Sequence, residues 1–181
     1  MLAKSYNAVG IQEVLAEVDV PKGPFYHYFA SKEDFGIAVV EYYGGFLANL
    51  MHKRLTDGAF SPRKRLINYF LSVREYYMSK GCGQGCLVAK LATEISDVSP
   101  RIRVALKTEF DRWLELFEEC VKEGQQIGEI SPEHDSKMLA EFIYSSWEGA
   151  LIRMQVNRNL NAIDSFMAYM FDYVIPENKH D

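Results

Sequence analysis

The spacing of apolar residues along the chain is helical almost throughout. After Pro100, the residues Ile102, Leu106, Phe110, Trp113, Phe117 and Cys120 recur at steps of four and three, which puts them on one face of a long helix. Phe35, Val39, Tyr42, Phe46 and Leu50 follow the same rule after Ser31 and predict a second stripe. Between Ser131 and Val156 the apolar face widens to take in Leu139, Phe142, Ile143, Ser146, Trp147, Ala150 and Met154. A last segment carries Ile163, Phe166, Met167, Met170, Phe171 and Val174, and Pro176 stops it. No stretch alternates apolar and polar residues with β-branched enrichment, so the predicted fold class is all-α.

The boundaries of these helices are written in serine, proline and glycine. Ser61-Pro62, Ser99-Pro100 and Ser131-Pro132 each set a capping hydroxyl before a proline whose missing N–H costs nothing in a first turn, and predict three helix starts. Ser31 with Asp34 predicts a fourth through a capping box with a shortened acid. Helix ends are expected near Lys80-Gly81 and at Gly124. Gly44-Gly45 interrupts the helix after Ser31, where two interior glycines cost about 2 kcal/mol relative to alanine, and is expected to permit a bend or close packing.

The first 35 residues differ in scale. Ile11, Val14, Leu15 and Val18 define a short amphipathic helix from about Val9 to Glu17, and Asp19-Val20-Pro21 turns the chain. A second short helix runs from Lys22 to Phe29, opened by Gly23 and Pro24, with Phe25 and Phe29 one turn apart and facing inward. Helix, tight turn, helix is a unit whose second helix enters the DNA major groove by its N-terminal end while flanking donors hold phosphates. Packing against a core with a solvated lysine edge explains the same pattern.

Composition narrows the classes. A 181-residue chain with 48 % hydrophobic residues can bury a full core. No apolar run reaches the length of a membrane span and the N-terminus lacks the order of an export signal, which points to the cytoplasm and to no membrane partner. A net charge of −5 argues against a protein that coats nucleic acid broadly, and residues 1 to 35 themselves carry a formal −2. A small contact surface remains open. Cys82, Cys86 and Cys120 make an odd count, so free thiols are expected. Cys82 and Cys86 are four apart, and His52 and His134 complete no ligand spacing, so neither a metal nor another cofactor is called for. Paired carboxylates, a Ser-His-acid set or a phosphate loop do not occur at informative spacing, which makes an enzyme the weakest reading.

The run VGIQEVLAEVDVPKGPFYHYFASKEDF resembles the helix-turn-helix of the tetracycline-repressor (TetR) family, without a gap from Val20 to Glu33. The resemblance implies a DNA-binding head over residues 1–44, on an effector-binding and dimerisation body over 45–181. It also implies a first helix that is here largely missing, through truncation or a misassigned start, because MLAKSYNAVG begins inside its last turn. Carried over, it gives Lys22, Gly23, Pro24, Tyr26, His27 and Lys32 contacts with operator DNA. Pro24 departs from the usual Thr or Ser and removes a hydroxyl contact. The last two long helices are expected to pair with their copies in a homodimer, for which Ser145, Ser146, Gly149 and Ala150 offer close approach.

Two sites for a small-molecule effector follow from the same likeness. Tyr76, Phe110, Trp113, Phe117, Tyr144 and Trp147, with Tyr69 and Tyr77 beside them, line a cavity or equally fill the core. GCGQGCLVAK is similar to the Gly-Cys-Leu stretch of the N-ethylmaleimide-responsive repressors, which sense electrophiles through this cysteine. Cys86 opens a short helix, and Lys90 four residues on adds positive charge, both of which favour a thiolate; an inert half-buried thiol is the competing reading. The expected protein is a homodimeric repressor released from DNA by an effector. Its alternative is a helical ligand-binding or thiol-sensing dimer that does not bind DNA in this form.

Overall fold

The computed structural model describes residues 5–177. Eight α-helices occur among them: α1 Ile11–Glu17, α2 Lys22–Tyr28, α3 Lys32–Leu55, α4 Pro62–Ser79, α5 Leu87–Ile95, α6 Pro100–Gln126, α7 Ser136–Asn157 and α8 Asn161–Tyr169, which continues as a π-helical turn over Met170–Val174. There is no strand among the described residues, so the all-α expectation holds.

The chain forms two compact units. One runs up to Phe46 and takes in Cys86–Glu109; the other is Leu47–Gly85 with the chain from Phe110 onward. In the first, Phe25, Phe29 and Phe35 meet with ring centres 5.2 to 5.4 Å apart. Leu15, Val40, Val88, Leu91, Ile102 and Leu106 complete its core. In the second, Phe70, Trp113, Phe117, Ile143, Trp147, Met154 and Ile163 are almost wholly buried. Arg65 is buried there too: its guanidinium donates to the carbonyls of Asp57 and Phe60 at 2.8 Å and pairs with Glu123 at 2.6 Å. That satisfies the loop before α4 from inside.

Two boundary signals and one apolar stripe differ from the structure. Ser131-Pro132 does not start α7; Ser131 Oγ accepts the Glu133 N–H in a local turn, and Asp135 caps the helix by accepting the Met138 N–H at 2.8 Å. Gly124 does not end α6, which continues to Gln126; Gly128, at φ 78°, takes the left-handed position instead. A Cβ at Gly124 would lie 2.7 Å from Ile130, so this glycine serves the chain's return over the helix. Thirdly, α3 is a helix as expected but buries another face. Tyr42, Phe46 and Leu50 are 82, 54 and 45 % exposed, while Gly36, Val40, Gly44, Ala48, Met51 and Leu55 are buried. Small residues let neighbours approach the backbone: a Cβ at Gly36 would meet Tyr6 at 2.9 Å, and one at Gly44 would meet Glu109 at 2.5 Å. Gly44 therefore packs closely, and the helix runs unbroken through Gly45.

Candidate nucleic-acid interface and thiol sites

The short helices α1 and α2 are joined by a turn in which Asp19 takes φ 52° and Val20 N–H returns to the Leu15 carbonyl at 2.9 Å. Phe25 is the inward anchor of α2, 5 % exposed. Lys22, Gly23, Pro24, Tyr26 and His27 all stand on the exposed surface. Lys22 Nζ lies 5.7 Å from the Tyr26 ring centre, so charge and aromatic surface adjoin on this helix.

Lys32 opens α3, half-buried. Its Nζ sits 4.7 Å from the Tyr6 ring centre and 3.5 Å from the Asn7 carbonyl, and its own carbonyl accepts the Tyr6 hydroxyl at 2.8 Å. The expected cap is present in altered form: Ser31 Oγ accepts the Asp34 N–H at 3.0 Å, and its hydroxyl donates to Asp34 Oδ2 at 2.8 Å. Two acids of this turn are bound from a distant segment. Glu33 accepts from the Ser99 hydroxyl at 2.6 Å and from Arg101 at 2.9 Å, and Asp34 pairs with Arg101 at 2.8 Å. The Ser99 hydroxyl, then Arg101, hold the Glu33 carboxyl below its ordinary range; the Ser31 hydroxyl, then Arg101, do so for Asp34. Sequence reasoning missed this cluster because its halves lie 66 to 68 residues apart, and Ser99 had been read only as a cap. It does cap α6 as well, accepting the Ile102 N–H at 3.1 Å.

The thiols occupy three environments. Cys86 is the N-cap of α5 and 8 % exposed, and its carbonyl accepts the Lys90 N–H. The Lys90 ammonium lies 3.9 Å from Glu94 Oε1, an i,i+4 pairing on the same helix. Cys82 is buried at φ 56°, its N–H donating to the Tyr77 carbonyl at 3.0 Å. Cys120 lies against the Pro62 carbonyl at 3.4 Å, and burial pushes its thiol up to about 12 from an ordinary 9.0. A raised thiol pKa contributes stability that is complete below pH 9 and lost as the pH climbs towards about 12. Alkaline melting curves are accordingly expected to show a loss of stability in that window that Cys120→Ala flattens; a mutant with an unchanged profile would contradict the burial argument.

Of the rings expected at an effector site, five are brought together. Phe110, Trp113 and Phe117 on α6 meet Tyr144 on α7 with centres 5.8 to 6.4 Å apart. Trp147 joins through Phe70, 4.8 Å from it and 5.7 Å from Phe117. Trp113, Phe117 and Trp147 are at most 2 % exposed and act as packing here. Tyr76 stands apart, 49 % exposed and edge-on to Tyr77 at 5.4 Å. An open cavity of about 690 Å³ lies elsewhere, between α3 and the start of α6, lined by Ile37, Glu41, Arg101, Val104, Thr108 and Glu109 among others. On α7, Met138, Phe142, Ser145, Gly149, Ile152 and Val156 form one exposed stripe at steps of four and three.

Comparison with known proteins bears on both ends of the chain. Residues 1–39 match the model for bacterial regulatory proteins of the tetR family, and residues 62–170 match that for the tetracyclin repressor-like C-terminal domain. The HTH-type transcriptional repressor DhaR of Mycobacterium sp. (strain GP1) is 34 % identical over 99 % of this chain and 88 % of its own length. A regulatory protein of Rhodobacter sphaeroides superposes with a TM-score of 0.85 at 35 % identity, covering 91 % of this chain and 87 % of that one. The reduced form of NemR from E. coli does so with a TM-score of 0.88 at 26 % identity, over 97 % and 91 %.

Proposed function

Because the chain belongs to the TetR family of bacterial transcription regulators, we propose that it represses transcription from the cytoplasm as a homodimer bound to operator DNA, and that a small-molecule effector releases it. The observation that carries this reading is the surface of α2, where Phe25 anchors the helix inward and Lys22, Tyr26 and His27 face out, one turn of chain before Lys32. Those side chains suit a groove edge and the phosphates beside it. The head is assigned to residues 1–44 and the body to 45–181. The exposed stripe of α7, with Tyr169 and Tyr173 at the end of the chain's helical part, is the dimer face. No helix among the described residues is long and apolar enough to cross a membrane.

The effector reading has two parts. Cys86, at the start of α5 with Lys90 one turn on, is assigned as the thiol that reacts with electrophiles. The aromatic cluster of Phe110, Trp113, Phe117, Tyr144 and Trp147 is the candidate pocket for a hydrophobic effector and needs rearrangement to open, since its rings touch one another.

Two substitutions test the head. Lys32→Ala is expected to weaken operator and random DNA alike and to make the logarithmic salt slope shallower by about one, as for one lost phosphate contact. Tyr26→Ala is expected to weaken operator binding more than random DNA. Gel shifts and salt titrations with the DNA upstream of the protein's own gene read both. Equal losses on the two DNAs for both mutants would remove the assignment, and an unaltered protein that binds neither would favour a dimer without a DNA-binding role.

A further inference from the structure

Lys32 is followed by two acids, and the three share the first turn of α3. Acids there suit the helix dipole. They do not suit a phosphate, which would meet two negative charges for the one positive charge of Lys32, at separations where like charges still repel through water. A phosphate-binding turn of this composition needs a cation from elsewhere.

The structure supplies it from α6. The Arg101 guanidinium reaches Glu33 Oε2 with Nη1 at 2.9 Å and Asp34 Oδ1 with Nη2 at 2.8 Å, one planar group bridging both carboxylates. The Ser99 hydroxyl takes Glu33 Oε1 at 2.6 Å, so this acid is held from two sides. The Arg101 side chain is 59 % exposed, so its removal opens no cavity in the core. Both carboxyls are held ionised by these contacts, which makes their compensation a matter of charge and not of protonation.

We propose that Arg101 is a positioning residue for DNA binding: bridging Glu33 and Asp34, it draws both carboxylates onto itself and offsets one of their two negative charges, so that Lys32 is left to receive a phosphate, and it does not itself touch DNA. The proposal rests on the repressor reading given above. It adds a residue of the body's longest helix to the determinants of DNA affinity.

The test compares Arg101→Gln, Glu33→Gln with Asp34→Asn, and all three changes together, by equilibrium binding to the upstream operator fragment at one salt concentration. Arg101→Gln is expected to weaken binding about tenfold, the scale of one lost positive charge a few ångströms from a phosphate at a protein surface. Arg101→Lys should recover part of that loss. The Glu33→Gln, Asp34→Asn protein should bind at least as tightly as the unaltered one, and adding Arg101→Gln to it should cost clearly less than the same change costs the unaltered protein. A tenfold loss persisting in that background would mean that Arg101 acts on DNA by itself and not through the two carboxylates. If the double carboxamide protein binds as weakly as Arg101→Gln alone, the contact is only structural; either outcome overturns the inference while leaving the repressor reading intact. Absence of operator binding by the unaltered protein would instead defeat that reading, and this inference with it.

Discussion

Ile152→Glu is expected to convert the protein from dimers to monomers and to lower operator affinity by roughly a hundredfold or more, the scale of two linked binding events made separate. Ile152 is 55 % exposed and lies in the C-terminal half of the α7 stripe, beside Gly149, where a Cβ would meet nothing within 4 Å. In a two-fold interface the same patch serves both copies, so a single substitution introduces two carboxylates at once. Desolvating them without partners costs far more than the interface gains from an isoleucine. Folding is expected to survive because the site faces outward in one copy. Sedimentation and light scattering measure the change, with circular dichroism as the control for helix content. A mutant that stays dimeric at micromolar concentration would place the interface elsewhere.

Cys86→Ser is expected to keep operator binding and to abolish release by N-ethylmaleimide or a quinone. The thiolate sulfur forms a bond to an alkene carbon of the maleimide, and the resulting enolate takes a proton from water, so the adduct adds a rigid imide to the side chain. At the N-cap of α5, where Cys86 is only 8 % exposed, that bulk has no room and must displace the start of the helix. Cys120 is no substitute, since burial keeps it a thiol up to about pH 12. Mass spectrometry of the labelled protein, read beside gel shifts with and without the reagent, distinguishes the thiols. A Cys86→Ser protein released as readily as the unaltered one would move the sensor role to another residue.

The sequence by itself determined the helical class, because spacings of three and four are a property of the chain that needs no partner to be visible. It located α1, α2, α4 and α6 to within a residue or two, and the starts of α3 and α5, in part through local signals: a proline at N1, a serine before it, a left-handed glycine at Gly81. It also placed Lys22, Tyr26 and His27 together, since seven consecutive residues of one helix cannot be far apart. Tertiary structure decided which face each helix buries and which distant groups meet. The sequence pattern of α3 pointed to its large apolar residues, yet the buried side is the one with Gly36, Gly44 and Ala48, where the missing side chains of the glycines admit Tyr6 and Glu109 against the backbone. Ser131-Pro132 failed as a helix start for a similar reason: the segment turns once before Asp135 captures the Met138 amide, and a capping hydroxyl cannot say which of two competing turns the packing will extend. The Arg101 bridge to Glu33 and Asp34 was invisible for a plainer one. Its attraction acts through space over a few ångströms, and only the fold brings residues 67 and 68 positions apart to that distance.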